Sequence, residues 1–193
     1  AHRVVTVDLH AGQIQGFFDM PVDNLFTTPL FARFIKKNIK SKNFICVSPD
    51  AGAIERTRAL ATKINADLAI IDKRRPEPGK SKVMNIIGDV RGKDCIIIDD
   101  IIDSGGTIIN AADALVKKGA RNVYVFITHA VLSGEAIKNI QKSRIKKLVI
   151  TDTIDNSKKI KKANKIQVLS ISQLMAEAIK RISNSTSVSS LFN

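Results

Sequence analysis

The sequence predicts an α/β fold, a mainly parallel, twisted sheet flanked by helices. Short apolar runs rich in β-branched residues alternate with stretches of helical composition, and the connections between them are short. The runs are apolar throughout, as in strands covered on both faces. Ligands of such sheets sit outside the carboxyl ends of the strands, so the residues directly after each run carry the functional expectation.

The first expected strand, over 4–7, is an unbroken apolar and β-branched run that delivers His10 just beyond its end. A helix is expected over 29–40, then a strand over 44–47 that delivers Asp50. The segment from Ser48 to Arg56 leaves that strand and opens a helix over 53–65. A strand over 68–71 leads to Lys73, Arg74 and Arg75, and the prolines and glycine of 76–82 argue for a basic loop rather than a helix. The strand over 95–98 is β-branched at three of its four positions, and the helix over 107–118 ends in a cationic turn and a glycine stop at Gly119. Strands over 123–127 and 148–150 alternate with helices over 134–141 and 172–182, and a polar tail follows at 183–190.

The segment from Cys95 to Thr107 carries the most chemistry. Ser104, Gly105, Gly106 and Thr107 can turn successive backbone N–H groups toward one anion, and the helix that follows adds its partial positive charge. Asp99, Asp100 and Asp103 stand beside this cradle. Adjacent strand residues point to opposite faces, so one of Asp99 and Asp100 is expected to face the ligand with Asp103. Carboxylates accept hydrogen bonds from vicinal hydroxyls or hold magnesium through one or two oxygens. A ribose 5-phosphate offers both halves of that pattern.

Lys plus Arg (31) exceeds Asp plus Glu (18), for a formal net charge of +13. The lysines are dispersed and aromatics make up 5%, which argues against nucleic-acid recognition by base stacking and for a solvated surface that attracts polyphosphates. No run approaches the ~18 apolar residues of a membrane span and no signal-peptide pattern opens the chain, so a cytoplasmic protein is expected. Cys46 and Cys95 lie in apolar runs without metal-ligand spacing, as buried reduced thiols do.

The run from Cys95 to Thr107 resembles the ribose-phosphate motif of the type I phosphoribosyltransferase fold. The segments from Val7 to Asp19, from Ile71 to Pro76, from Thr128 to Gly134 and from Ser187 to Phe192 are similar to those of the ribose-phosphate pyrophosphokinase family. The resemblance covers the whole chain, but members are longer, so the chain is expected to be a C-terminal portion lacking most of an N-terminal domain. It implies a remnant of that domain over 1–35, a phosphoribosyltransferase-like catalytic domain over 36–182 and a tail over 183–193. It also implies an oligomer that uses magnesium to transfer the diphosphoryl group of ATP to ribose 5-phosphate. By the same resemblance Asp99, Asp100 and Asp103 hold ribose, Ser104, Gly105, Gly106 and Thr107 hold its phosphate, and Asp50, Ala51, Gly52 and Ala53 form a diphosphate loop. His10 and Asp50 serve the metal, and Lys73 and Arg75 stabilise the transition state. Ala53 stands where the family has glycine; if that position needs a positive φ or close backbone approach, diphosphate binding suffers. A non-catalytic ribose-phosphate-binding remnant and a base-transferring phosphoribosyltransferase are the alternative readings.

Overall fold

The structure, a computed structural model, describes residues 1–41, 43–74 and 83–191, of which residues 73, 74, 83 and 84 by their backbone alone. Its strands are β1 (Val4–Val7), β2 (Val22–Leu25), β3 (Phe44–Ser48), β4 (Asp67–Arg74), β5 (Val83–Ile87), β6 (Asp94–Ile102), β7 (Asn122–Ala130), β8 (Lys147–Thr151) and β9 (Ile166–Leu169). The helices are α1 (Thr28–Asn38), α2 (Ile54–Ile64), α3 (Gly106–Lys117), α4 (Ala136–Lys142) and α5 (Ser172–Ser183).

Seven strands form one sheet in the order β5-β4-β3-β6-β7-β8-β9, and β1 and β2 pair in parallel as a separate two-stranded sheet. Every pairing in the large sheet is parallel except β4 with β5. The mixed α/β fold with a mostly parallel sheet is therefore as expected. The chain winds outward to β4 from β3 and in the opposite sense to β7, β8 and β9 from β6, so the strand order reverses between β3 and β6. A crevice forms at such a switch point because the following connections leave toward opposite faces.

The core is split by the sheet. On one face Cys95 and Ile97 pack with Ile108, Ala111 and Leu115 of α3 and Ile140 of α4. On the other, Ile96, Ile98 and Phe126 pack with Phe31 and Ile35 of α1 and Leu60 and Ile64 of α2. Each fully buried Ile, Leu or Phe contributes about 1.5–3 kcal/mol, which is what docks the helices. The expected boundary after residue 35 falls inside α1, a helix seated on this core. Burial also pushes both cysteine thiols up to about 12, so Cys46 and Cys95 are free, inert packing residues.

Three strands lie outside the expected runs. β2 has a polar middle, Asp23-Asn24, and β5 and β9 are edge strands of the large sheet, so none reads as a continuous apolar segment. Three strands also run further than expected, β7 among them, which continues through Thr128 to Ala130. β4 continues through Lys73 and Arg74, paired with Met84 and Val83, because the antiparallel β5 folds back on it. β6 continues through Asp99 and Asp100 to Ile102, held by β7, so the acidic pair lies within the strand rather than at its end.

Candidate active site

The loops after β3 and β6 flank the switch point, and they are the Asp50 loop and the Asp103–Thr107 loop. In the latter, Gly105 precedes α3 with φ +79, a left-handed conformation that glycine adopts without strain. This turn starts the helix at Gly106 and leaves Asp103, Ser104, Gly106 and Thr107 exposed above its N-terminus, where the unpaired N–H groups favour an anion. After β3, the Ser48 hydroxyl donates to the Asp50 carbonyl at 2.6 Å, and the Ala53 N–H donates to Asp50 Oδ1 at 3.2 Å. Asp50 thus closes a turn at the start of α2. Ala53 has φ −90 and is buried, so the positive φ that would have penalised its methyl group is not used here.

Four side chains meet beside these loops. His10 Nδ1 lies 2.7 Å from Asp100 Oδ2. Arg56, in the first turn of α2, reaches Asp100 Oδ1 at 3.3 Å and Asp99 Oδ1 at 3.8 Å. Asp99 Oδ1 also accepts the Asp100 N–H at 3.0 Å. Both carboxylates therefore face one guanidinium, where strand alternation had set one of them aside. Their charge is shared unequally. Burial opposes the charge of Asp100, but Arg56, the hydrogen bond with Asp99 and His10 hold its carboxyl below the usual range. Burial and the neighbouring Asp100 push Asp99 up to about 7.

A cavity of about 780 Å³ opens alongside, lined among others by Asp8, His10, Gly12, Asn24, Gly52 and Arg56. It brings the residues after β1 together with the start of α2. Among the described residues no three metal-ligating side chains converge. Magnesium needs no such cluster, since it keeps several waters and takes one or two carboxylates with substrate phosphates. The Asp100–His10 contact also leaves His10 Nε2 for an outside group, the arrangement by which a carboxylate orients a metal-binding imidazole. The donor set fits a hydrated magnesium ion.

Of the residues expected from sequence, His10, Asp99 and Asp100 converge, and Asp103, Ser104, Gly105, Gly106 and Thr107 follow in the turn after β6 and the start of α3. Gly52 shares the cavity with His10. Arg75 lies outside the described residues, as does the side chain of Lys73, whose backbone lies near the end of β4, on the same edge as the Asp50 loop. Sequence reading missed Arg56. Its signal was a cation in the first turn of a helix, against the helix dipole, which the acidic pair offsets.

The phosphoribosyl synthetase-associated domain matches residues 75–193. The chain is 58% identical to a ribose-phosphate pyrophosphokinase of Brucella melitensis and 55% identical to one of Rhizobium meliloti, each over all of this chain and 62% of the relative. It thus spans about three fifths of the length of these curated relatives. A crystal structure of phosphoribosylpyrophosphate synthetase from Mycobacterium smegmatis superposes with a TM-score of 0.88 at 35% identity, covering 96% of this chain and 60% of the other.

Proposed function

Since this chain belongs to the phosphoribosyl synthetase-associated family, alongside ribose-phosphate pyrophosphokinases, we propose that it forms the sugar-phosphate half of a diphosphoryl-transfer site. The substrates are ribose 5-phosphate and MgATP, and the products phosphoribosyl pyrophosphate and AMP. The anomeric hydroxyl attacks the β-phosphorus, the bond from the β-phosphorus to the α-phosphate oxygen breaks, and the hydroxyl proton is lost.

The observation that carries this reading is the contact of His10 and Arg56 with the Asp99–Asp100 pair, on the strand that leads into the start of α3. Asp103 and the backbone N–H groups of Ser104, Gly105, Gly106 and Thr107 hold the 5-phosphate end, and Asp99 and Asp100 accept hydrogen bonds from the ribose hydroxyls. Asp50 and His10 would hold magnesium, which supplies charge neutralisation for the diphosphate. In the Asp50–Ala53 loop the N–H groups of Ala51 and Gly52 serve the same diphosphate, that of Ala53 being bonded to Asp50, and the transition-state charge is assigned to Lys73 and Arg75, as diphosphoryl transfer is served mainly by positioning and charge. We place the protein in the cytoplasm as a homo-oligomer serving nucleotide biosynthesis. Among the described residues no helix is long and apolar enough to cross a membrane.

A second reading is a ribose-phosphate-binding portion without turnover of its own. Incubating the 193-residue chain with ribose 5-phosphate and MgATP separates the two. Equal amounts of AMP and phosphoribosyl pyrophosphate establish the transferase. Binding of ribose 5-phosphate by calorimetry without either product establishes the second reading, and absence of binding removes both.

A further inference from the structure

His10 is 80% exposed, so packing does not hold its ring. Its place is set by the backbone that carries it. Asp8, two residues earlier, has φ +43, a left-handed conformation that few residues other than glycine adopt and that aspartate takes up as a single residue in a turn. Hydrogen bonds fix this turn from several sides. Asp8 Oδ2 accepts the Thr27 N–H at 3.2 Å, the Thr27 hydroxyl at 2.5 Å and the Thr128 hydroxyl at 2.7 Å. Asn24 Oδ1 accepts the Leu9 N–H at 3.1 Å.

The carbonyl side of the turn is held by His129. Its Nε2 lies 2.8 Å from the Val7 oxygen and 3.3 Å from the Asp8 oxygen. Both neighbours are pure acceptors, so this nitrogen carries a proton and donates. Nδ1 lies 3.1 Å from the Thr153 hydroxyl, which fixes the ring from the other end. His129 also pairs in strand register with Ile101, the residue after Asp100. One imidazole therefore ties the chain that carries His10 to the strand beside Asp100, across two sheets that share no strand pairing.

We propose that His129 is a positioning residue that sets the contact between His10 and Asp100. It acts through the carbonyls of Val7 and Asp8 and touches no substrate. The importance of the contact rests on the proposed function above; the strut itself does not.

The test is the nitrogen spectrum of the His10 ring in the ¹⁵N-labelled 193-residue chain, where Nδ1 reports its hydrogen bond to the carboxylate. His129→Leu removes the donor, and the Nδ1 resonance should move to the position of an unpaired imidazole. His129→Gln returns an N–H of similar reach and should restore the wild-type position. A role limited to folding would lower the melting temperature of both variants without moving His10. A folded His129→Leu chain with the wild-type Nδ1 position overturns the proposal. Should His129→Leu fail to fold, Thr153→Val loosens the ring at its other end; broadened His10 resonances support the strut and unchanged ones overturn it. Ribose 5-phosphate titrated into the wild type tests the proposed function separately, because the ring signal is recorded without ligand.

Discussion

At the scale of single residues, Asp99 and Asp100 compete for one guanidinium, and Asp100 also takes His10. The carboxylate left with less compensation holds a proton to about pH 7. Because that folded value lies above the ordinary 3.8, the folded state keeps a proton that the unfolded chain releases. Stability therefore falls as pH rises from about 4 to about 7 and is level above that. In metal-free buffer Asp99→Asn should remove this slope and gain on the order of 1–3 kcal/mol at pH 8, with a smaller gain at pH 5. Urea midpoints at the two pH values measure it, and an equal gain at both would refute the shifted carboxyl. Ala53 gives a second prediction. With φ −90 its methyl group is unstrained, so Ala53→Gly should lower stability by about 0.5–1 kcal/mol and leave diphosphate affinity unchanged by calorimetry.

At the scale of elements, the strand, turn and helix formed by β6, Gly105 and α3 make the proposed anion site. Gly105 holds φ +79, and a β-carbon there would meet only ordinary contacts, the nearest 3.6 Å away. The cost of Gly105→Ala is thus conformational, about 1 kcal/mol or more. The turn should relax by moving the start of α3, so ribose 5-phosphate affinity should fall with stability. Calorimetry and thermal melting on the same variant test this, and a destabilised variant of full affinity would mean that the N–H groups of this turn do not bind the phosphate. The β4–β5 hairpin is the element least legible beforehand, since Lys73 and Arg74 read as loop residues until an antiparallel partner is known.

At the scale of the whole molecule, α1 connects the small sheet to the large one. Thr27 at its start bonds Asp8, and Phe31 packs against Phe126 with ring centroids 5.4 Å apart. Phe126→Ala should cost about 3–5 kcal/mol and loosen α1 together with β1 and β2. Hydrogen exchange checks it: amides of α1, β1 and β2 should lose protection before those of β7 and β8. Uniform loss across the chain would show that the small sheet does not depend on this core face.

The sequence by itself determined the α/β class, the strands whose both faces are covered, and the succession of acidic strand, glycine turn and helix on which the proposed sugar-phosphate site rests. These are local properties: apolar runs, left-handed turns and helix starts are written in neighbouring residues. Tertiary structure alone decided the separate two-stranded sheet, the edge strands β5 and β9, and the meeting of His10, Arg56, Asp99 and Asp100. Those depend on which strands become neighbours. Arg56 reads as a solvated helix cation and His129 as an ordinary strand histidine until the small sheet and α2 pack at the ends of the paired strands β6 and β7, because a hydrogen bond depends on distance in space and not on separation along the chain.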